Sequence, residues 1–392
     1  MNLISLEPGS VLGVLGGGQL GAMFASAAVR LGFRVAVWDP DPDAPAHHLA
    51  MYSFPKPFTD RQAFAQFAGL VSGVTYEWEN VPAQLCQQLE QTKPVRPSSG
   101  ILRIIQNRLI QKTFLADRGF PVPRFMSLTD LKQLKEVVQQ LGCSALCKTA
   151  TAGYDGKGQW RISESSNLSE LQEVLRASAP IGMEWIVEAF VPFERELSIL
   201  VARGSDGQSV VYPLAENEHE EGILRTTIVP AEVSSPVMER AAELALGVIQ
   251  HMEGVGLFCI ELFLLPGGEL LINEVAPRPH NSGHYTLDAC SPSQFEQQVR
   301  AVCGMPLSEV RLLSPAAMVN LIGADAETIK TDAECRALLD LPGTHLHLYG
   351  KRVIRPRRKM GHVTFLADQR RIAQDRAMQF RRSLLQAQQS SL

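Results

Sequence analysis

The segment between Gly256 and Glu274 restricts the fold more than any other part of the chain. Two apolar runs, residues 257–265 and 269–275, flank Pro266-Gly267-Gly268, which is the pattern of a β-hairpin. With Gly267 and Gly268 as the central turn residues, Glu261 and Glu274 fall opposite each other, with Cβ atoms roughly 5 Å apart. Their neighbours Phe263, Leu265, Leu270 and Ile272 are apolar, so the pair should be at least half buried. Two like charges held there repel unless one is protonated or a cation lies between them. Carboxylate oxygens beside the amide oxygen of Asn273 are hard ligands, suited to Mg²⁺ that also bridges phosphates.

A second feature supplies the phosphates' other partner. Lys148 ends a strand-like run and leads into Gly153-Tyr154-Asp155-Gly156-Lys157-Gly158-Gln159. A glycine-rich flap with lysines suits closure over a polyphosphate with exclusion of water. No Ser or Thr follows Lys157, so this is not the Walker A pattern. A metal pair together with a lysine flap points to ATP.

A third loop stands at the N-terminus. The apolar run 11–15 ends in Gly16-Gly17-Gly18-Gln19-Leu20-Gly21, and a second run, 34–38, closes on Asp39. Strand, glycine turn, helix and strand make a βαβ unit, and the spacing matches the dinucleotide fingerprint. Glycine amides at a helix N-terminus suit any anion. From the motif alone NAD, a phosphorylated substrate and a tight turn without ligand all stay open.

Elsewhere we expect strands near 71–78, 145–148, 185–188, 197–202, 316–322, 345–349 and 362–366, and a short one at Val95. Helices are expected near 101–119, 168–177, 236–252 and 369–389. A chain of 392 residues implies two or three domains, of mixed α/β and α+β class. Hydrophobic residues at 45% and charged residues at 20% fit a globular chain. The net charge of −4 argues against a nucleic-acid polymer as partner. That charge is uneven, with +9 on residues 351–392 and −13 before them. Arg370, Arg371, Arg376, Arg381 and Arg382 read as a solvated helix face, whereas the cluster from Lys351 to Lys359 can close on a phosphate. The first basic residue is Arg30, so a secretory leader is not expected, nor is a membrane span. Seven cysteines without C-x-x-C spacing read as reduced thiols in a cytoplasmic protein.

These motifs together resemble the ATP-grasp superfamily, and within it the 5-(carboxyamino)imidazole ribonucleotide synthases. The likeness rests on Gly16-Gly-Gly-Gln19-Leu, Tyr76-Glu77-Trp-Glu-Asn-Val, the flap, Pro192-Phe-Glu-Arg-Glu196, the Glu261/Asn273-Glu274 hairpin, Ala276-Pro-Arg278-Pro-His280-Asn281-Ser-Gly-His284 and Arg358-Lys-Met-Gly-His362. It implies a Rossmann-like pre-ATP-grasp domain at 1–110, an ATP-grasp domain at 111–305 and a small C-terminal domain at 306–392. By the same likeness Arg108, Lys148 and the flap residues Gly153, Tyr154, Asp155, Gly156, Lys157, Gly158 and Gln159 hold the ATP phosphates. Glu188, Ala189, Phe190 and Val191 form the adenine hinge, Glu196 meets the ribose, and His219 and Asn273 line the nucleotide. Glu261 and Glu274 hold Mg²⁺, with Mn²⁺ able to replace it. Gly17, Gly18, Gln19, Leu20 and Glu77 face aminoimidazole ribonucleotide, Lys351 and Arg358 take its 5′-phosphate, and Tyr154, Asp155, Arg278 and His280 surround bicarbonate and the amine.

The implied activity is ATP-dependent carboxylation of aminoimidazole ribonucleotide by bicarbonate through carboxyphosphate, in purine biosynthesis, by a cytoplasmic homodimer. Rival readings are another ATP-grasp ligase such as a formate-using transformylase, an NAD-dependent dehydrogenase, and a non-catalytic nucleotide sensor. Three places depart from the family pattern. Asn107 stands where Asp is usual, Ala150 and Ala152 lie where Arg and an additional Gly are commoner, and Arg357 occupies a position usually held by Gly.

Overall fold

Val-Leu-Gly-Val-Leu is apolar at every position, as suits a strand covered on both faces. In the computed structural model, which describes residues 6–142, 144–151, 158–163, 165–178, 183–329 and 332–390, this strand, β1 (Val11–Leu15), is buried throughout. It is central in a parallel sheet with β2 (Arg34–Trp38), β3 (Tyr52–Phe54) and β4 (Gly73–Tyr76), in the order β3-β2-β1-β4. The helix Gln19–Arg30 connects β1 to β2, and separate hydrophobic clusters cover the two faces. Val95 makes only a single bridge to Val74.

The expected helical stretch at 101–119 is two helices, Ser99–Ile105 and Arg108–Asp117. Asn107 separates them: its side-chain oxygen accepts from the Leu109 and Ile110 amides, an N-cap that Asn makes as well as Asp. The departure at Asn107 therefore leaves the cap intact.

A second, antiparallel sheet runs in the order β5-β8-β6-β7. Its strands are β5 (Phe125–Leu128), β6 (Ala145–Thr149), β7 (Gln159–Ile162) and β8 (Trp185–Ala189). The helices Leu134–Leu141 and Leu168–Ser178 supply the core against it.

The largest sheet begins with β9 (Arg195–Arg203), β10 (Ser209–Val211), β11 (Ala215–Glu220) and β12 (Ile223–Val229). It continues with β13 (Gly256–Leu264) and β14 (Leu270–Ala276). A short pair, β15 (Cys290–Ser291) with β16 (Arg311–Leu312), stands apart. Then β17 (Ala316–Ile322), β18 (Thr344–Leu348) and β19 (Lys359–Leu366) rejoin the large sheet. Its order is β14-β13-β9-β11-β12-β17-β19-β18, with β10 beside β9. The C-terminal strands thus extend the central sheet through β12–β17 pairing.

The helix Ser235–His251 packs on the β9, β13 and β14 side. The last helix, Arg370–Ser390, covers the C-terminal strands. Its arginines are largely not a solvated face. Arg370 pairs with Glu216 and Glu232, and Arg381 with Glu218 and Glu220, while Arg376 donates to the Pro342 and Leu366 carbonyls. The alternating acids of β11 are what the sequence reading left out. Only Arg371, exposed and 3.5 Å from Asp375, behaves as expected among these four.

Candidate active site

The hairpin forms, and its two carboxylates do face each other, but by a route with one more step. The turn contains three residues, closed by the Leu265 amide donating to Glu269 and the Gly268 amide to Leu265. Gly267 and Gly268 carry φ of +103° and +92°, the left-handed region that favours glycine. Near the turn Leu264 pairs with Leu270 and Leu262 with Ile272, one residue away from the expected register. A bulge at Asn273 restores it, so that Glu261 lies opposite Glu274. An extra residue in one strand re-aims side chains. Here it leaves Asn273 and Glu274, successive residues, both only partly buried and on the site side, with the Asn273 amide 3.4 Å from Glu261.

Beyond Glu261 stands a polar chain. His280 Nε2 is 3.2 Å from Glu261 Oε1, and His280 Nδ1 is 2.8 Å from the Ser282 hydroxyl. Ser198 and Asn217 continue it through buried 2.8 Å hydrogen bonds. Burial works to raise the Glu261 carboxyl, but contact with His280 outweighs it and holds it at about 2. Burial and the charge of Glu261 hold the Glu274 carboxyl above the usual range. Arg278 is held from the first domain by Glu79, at 2.6 Å.

Lys148, next to last in β6, bonds Glu188 of β8 at 2.8 Å. The other Glu188 oxygen is 3.7 Å from Lys112, a residue the sequence reading missed. Lys112 is 3% exposed and donates to the Ile272 carbonyl. Burial pushes the Glu188 carboxyl up, but the two lysines reverse this and bring it to about 2. Burial lowers Lys112 to about 8, against the pull of Glu188. The preceding residue, Gln111, both donates to and accepts from the Val275 backbone, covering the edge of β14. The available signal was Lys112 one helical turn after Arg108.

Arg108 donates to the Thr149 carbonyl and, through its amide, to Ala150. Gly153, Tyr154, Asp155, Gly156 and Lys157, like Ala152, lie outside the described residues. Gly158, with φ of +71°, accepts from the Thr149 amide, and Gln159 opens β7 opposite Lys148. The Ala189 and Phe190 amides donate to Arg124 and Ser144, and Val191 is half-buried beyond them. Glu196 Oε2 lies 2.7 Å from His219 Nδ1.

The glycine loop carries a finding of a different kind. Its amides are taken by the chain's own carboxylates: Gly17 donates to Asp39, and Gly18 and Gly21 to the two oxygens of Glu77. The helix N-terminus thus already holds an anion, the carboxylate of Glu77. Asp39, the acid that closes the second run, serves as a loop clamp. Leu20 is buried, and Gln19 accepts a 2.8 Å hydrogen bond from Lys351. Lys351 also donates to the Lys359 carbonyl. Gln19, Glu77 and Lys351 therefore meet where the first and last parts of the chain touch. Arg358 is partly buried and donates to the Val353 carbonyl.

Arg357 has φ of +67°, which explains why glycine is usual at that position. Its guanidinium bonds both the carboxylate and the carbonyl of Glu221.

Three family descriptions match successive parts of the chain: the ribonucleotide synthetase preATP-grasp domain over residues 10–106, the ATP-grasp domain over 113–295, and the phosphoribosylaminoimidazole carboxylase C-terminal domain over 316–376. The N5-carboxyaminoimidazole ribonucleotide synthase of Bacillus subtilis is 40% identical over 92% of either chain. That of Brucella melitensis is 40% identical over 93% of this chain and 98% of its own. Among solved structures, an ADP complex of an N5-carboxyaminoimidazole ribonucleotide synthetase superposes with a TM-score of 0.92 at 38% identity, covering 99% of this chain and 100% of that one. The Aspergillus clavatus N5-carboxyaminoimidazole synthase with ADP and 5-aminoimidazole ribonucleotide gives 0.86 at 31%, covering 97% and 99%.

Proposed function

This chain belongs to the N5-carboxyaminoimidazole ribonucleotide synthase family of ATP-grasp enzymes, and from that membership and its site we propose how it acts. It is an ATP-dependent carbon–nitrogen ligase that carboxylates 5-aminoimidazole ribonucleotide in purine biosynthesis. The observation that carries the assignment is the bulged hairpin, which brings Glu261, Asn273 and Glu274 together beside the Lys148–Glu188 pair.

The carboxylate pair fits a divalent cation, because Glu261 faces Glu274 beside the Asn273 amide and burial, then the charge of Glu261, destabilise Glu274 as an anion. Glu261 and Glu274 would hold Mg²⁺, or Mn²⁺ in its place, and when bound it would draw charge from the γ-phosphoryl oxygens. Lys148, Arg108 and the flap grip the phosphates. Glu188, Ala189, Phe190 and Val191 border the adenine, Glu196 and His219 the ribose side.

A bicarbonate oxygen attacks the γ-phosphorus, forming one P–O bond as the bond to the ADP oxygen breaks. The resulting carboxyphosphate loses phosphate to release CO₂, and the substrate's exocyclic amine forms the C–N bond and gives up a proton. Arg278 and His280 stabilise the anionic intermediate and the departing phosphate, and with Tyr154 and Asp155 they surround the bicarbonate and the amine. Asp155 receives the amine proton, since His280, paired with Glu261, already carries its own. Gly17, Gly18, Gln19, Leu20 and Glu77 position the ribonucleotide, and Lys351 and Arg358 its 5′-phosphate. A closed site retains CO₂ and protects carboxyphosphate from water.

The same reading divides the chain at about 110 and 305, places it in the cytoplasm, and makes it a homodimer, a state that light scattering tests directly. No helix among the described residues is long and apolar enough to cross a membrane. The decisive experiment on function is phosphate release from ATP with and without each substrate. Release that needs both 5-aminoimidazole ribonucleotide and bicarbonate is expected, with ¹⁸O from labelled bicarbonate appearing in phosphate. Release that formate supports instead would overturn the assignment, and unlabelled phosphate would remove carboxyphosphate from it.

A further inference from the structure

His345 and His347 alternate along β18 and therefore share one face of it. In the antiparallel register His347 lies opposite His362 of β19, and His345 opposite Thr364. The rings of His347 and His362 stack with centroids 4.4 Å apart and planes 12° from parallel. Asp288, from the short helix Thr286–Ala289, reaches the same place. Its Oδ2 is 2.9 Å from His347 Nε2, and its Oδ1 is 3.4 Å from His345 Nδ1. One ligand atom each from Asp288, His347 and His362 lie within 4.8 Å of one another.

A second, independent observation concerns His362 itself. It is 0% exposed, its Nδ1 is 2.8 Å from the Tyr349 hydroxyl, and its Nε2 has no hydrogen-bond partner among the described residues. The neighbouring ring of His284, also fully buried and 5.0 Å away between centroids, likewise has an unpartnered Nε2. A buried polar atom left unpaired is destabilising. The proposed nucleotide site uses none of Asp288, His347 and His362.

We propose that Asp288, His347 and His362 form a binding site for a borderline divalent transition-metal ion, zinc in the first instance, separate from the Glu261/Glu274 pair. Two imidazoles and one carboxylate are a three-donor set that leaves a tetrahedral ion one position for water. Imidazole donors select against Mg²⁺, which prefers oxygen. Tyr349 on His362 Nδ1 and His345 on Asp288 Oδ1 are the partners that orient metal ligands from behind. The terminal torsions of His are broad, so small opposed rotations open the stacked rings and turn both Nε2 atoms to one point. The ion enters from the β18 edge, where His345 is 41% and His347 29% exposed. It would tie the helix Thr286–Ala289 to the root of the β18–β19 hairpin, whose loop carries Lys351 and Arg358.

The test uses the full chain, purified without a polyhistidine tag, stripped by chelator and titrated with ZnCl₂ or CoCl₂. One zinc per chain after dialysis is expected, with a visible Co²⁺ absorption band of a nitrogen- and oxygen-ligated site. His347→Ala and Asp288→Asn, both at partly exposed positions, should weaken zinc binding on the order of 100-fold or more. Glu274→Gln should keep full zinc stoichiometry. Equal zinc in wild type and His347→Ala, or zinc lost in Glu274→Gln, overturns the proposal. Should the His347 variant not fold, absence of the Co²⁺ band in the wild type overturns it equally.

Discussion

Glu77 and Glu274 are both recessed carboxylates whose proton affinity is raised, in each case by burial first. Their partners separate them. Glu77 accepts from the Gly18 and Gly21 amides at a helix N-terminus, where backbone dipoles favour an anion. Glu274 faces a second carboxylate across a strand pair, and its neighbour's charge adds to the penalty of burial. The first arrangement is complete within the chain, whereas the second calls for a cation. A buried acid is therefore read by what opposes it, and that is visible only in three dimensions.

The largest effect that would break this contrast is at the hairpin. Glu274→Gln removes a repulsion along with a metal ligand, so turnover should fall 10³-fold or more, about 4 kcal/mol, while the melting temperature does not fall. A variant that melts lower yet turns over normally would make the pair structural. At the glycine loop the expected order is reversed. Glu77→Ala should cost about 2–3 kcal/mol in denaturant unfolding, since two loop amides lose their acceptor. Glu77→Gln, which keeps one acceptor oxygen, should lose less than half of that and raise the KM for the ribonucleotide.

Glu188 sharpens the comparison through pH, because two lysines rather than amides oppose it. Its folded value of about 2 lies below the unfolded 4.5, so the unfolded chain binds the proton first. Its contribution is full above about 4.5 and disappears as pH falls towards 2. Urea unfolding from pH 5 to 2.5 should show a shallower acid limb in Glu188→Gln than in wild type. An exposed carboxylate gives the smallest effect. Glu221 is 86% exposed beside Arg357, a pair contributing roughly 0–1 kcal/mol. Arg357→Gly loses it but relieves the φ of +67°. The net change should be within about 1 kcal/mol and stabilising, measured by thermal melting.

Much of the site was legible from local pattern. Apolar runs around Pro266-Gly267-Gly268 placed Glu261 against Glu274, although two one-residue differences, in the turn and at Asn273, cancel to give that result. The strands β1, β2 and β17 stood where expected, and Lys148 lies one residue short of the end of β6. What escaped depends on partners distant in sequence. Lys112 reads as one more helical cation until Glu188 is folded against it. Glu79 reads as a surface acid until Arg278 reaches it. The arginines of the last helix read as solvated because nothing in their own segment shows the acids of β11.

Backbone sterics and short-range periodicity are enough to place the glycine turns, the hairpin and the residue types that reach the site. Tertiary structure alone decided which charges are satisfied. Only packing brings Glu77 to the glycine amides, Lys351 to Gln19 and Asp288 to His347. Whether a charge finds a dipole, a counter-charge or a like charge is a matter of distance in space, and the order of residues does not contain it.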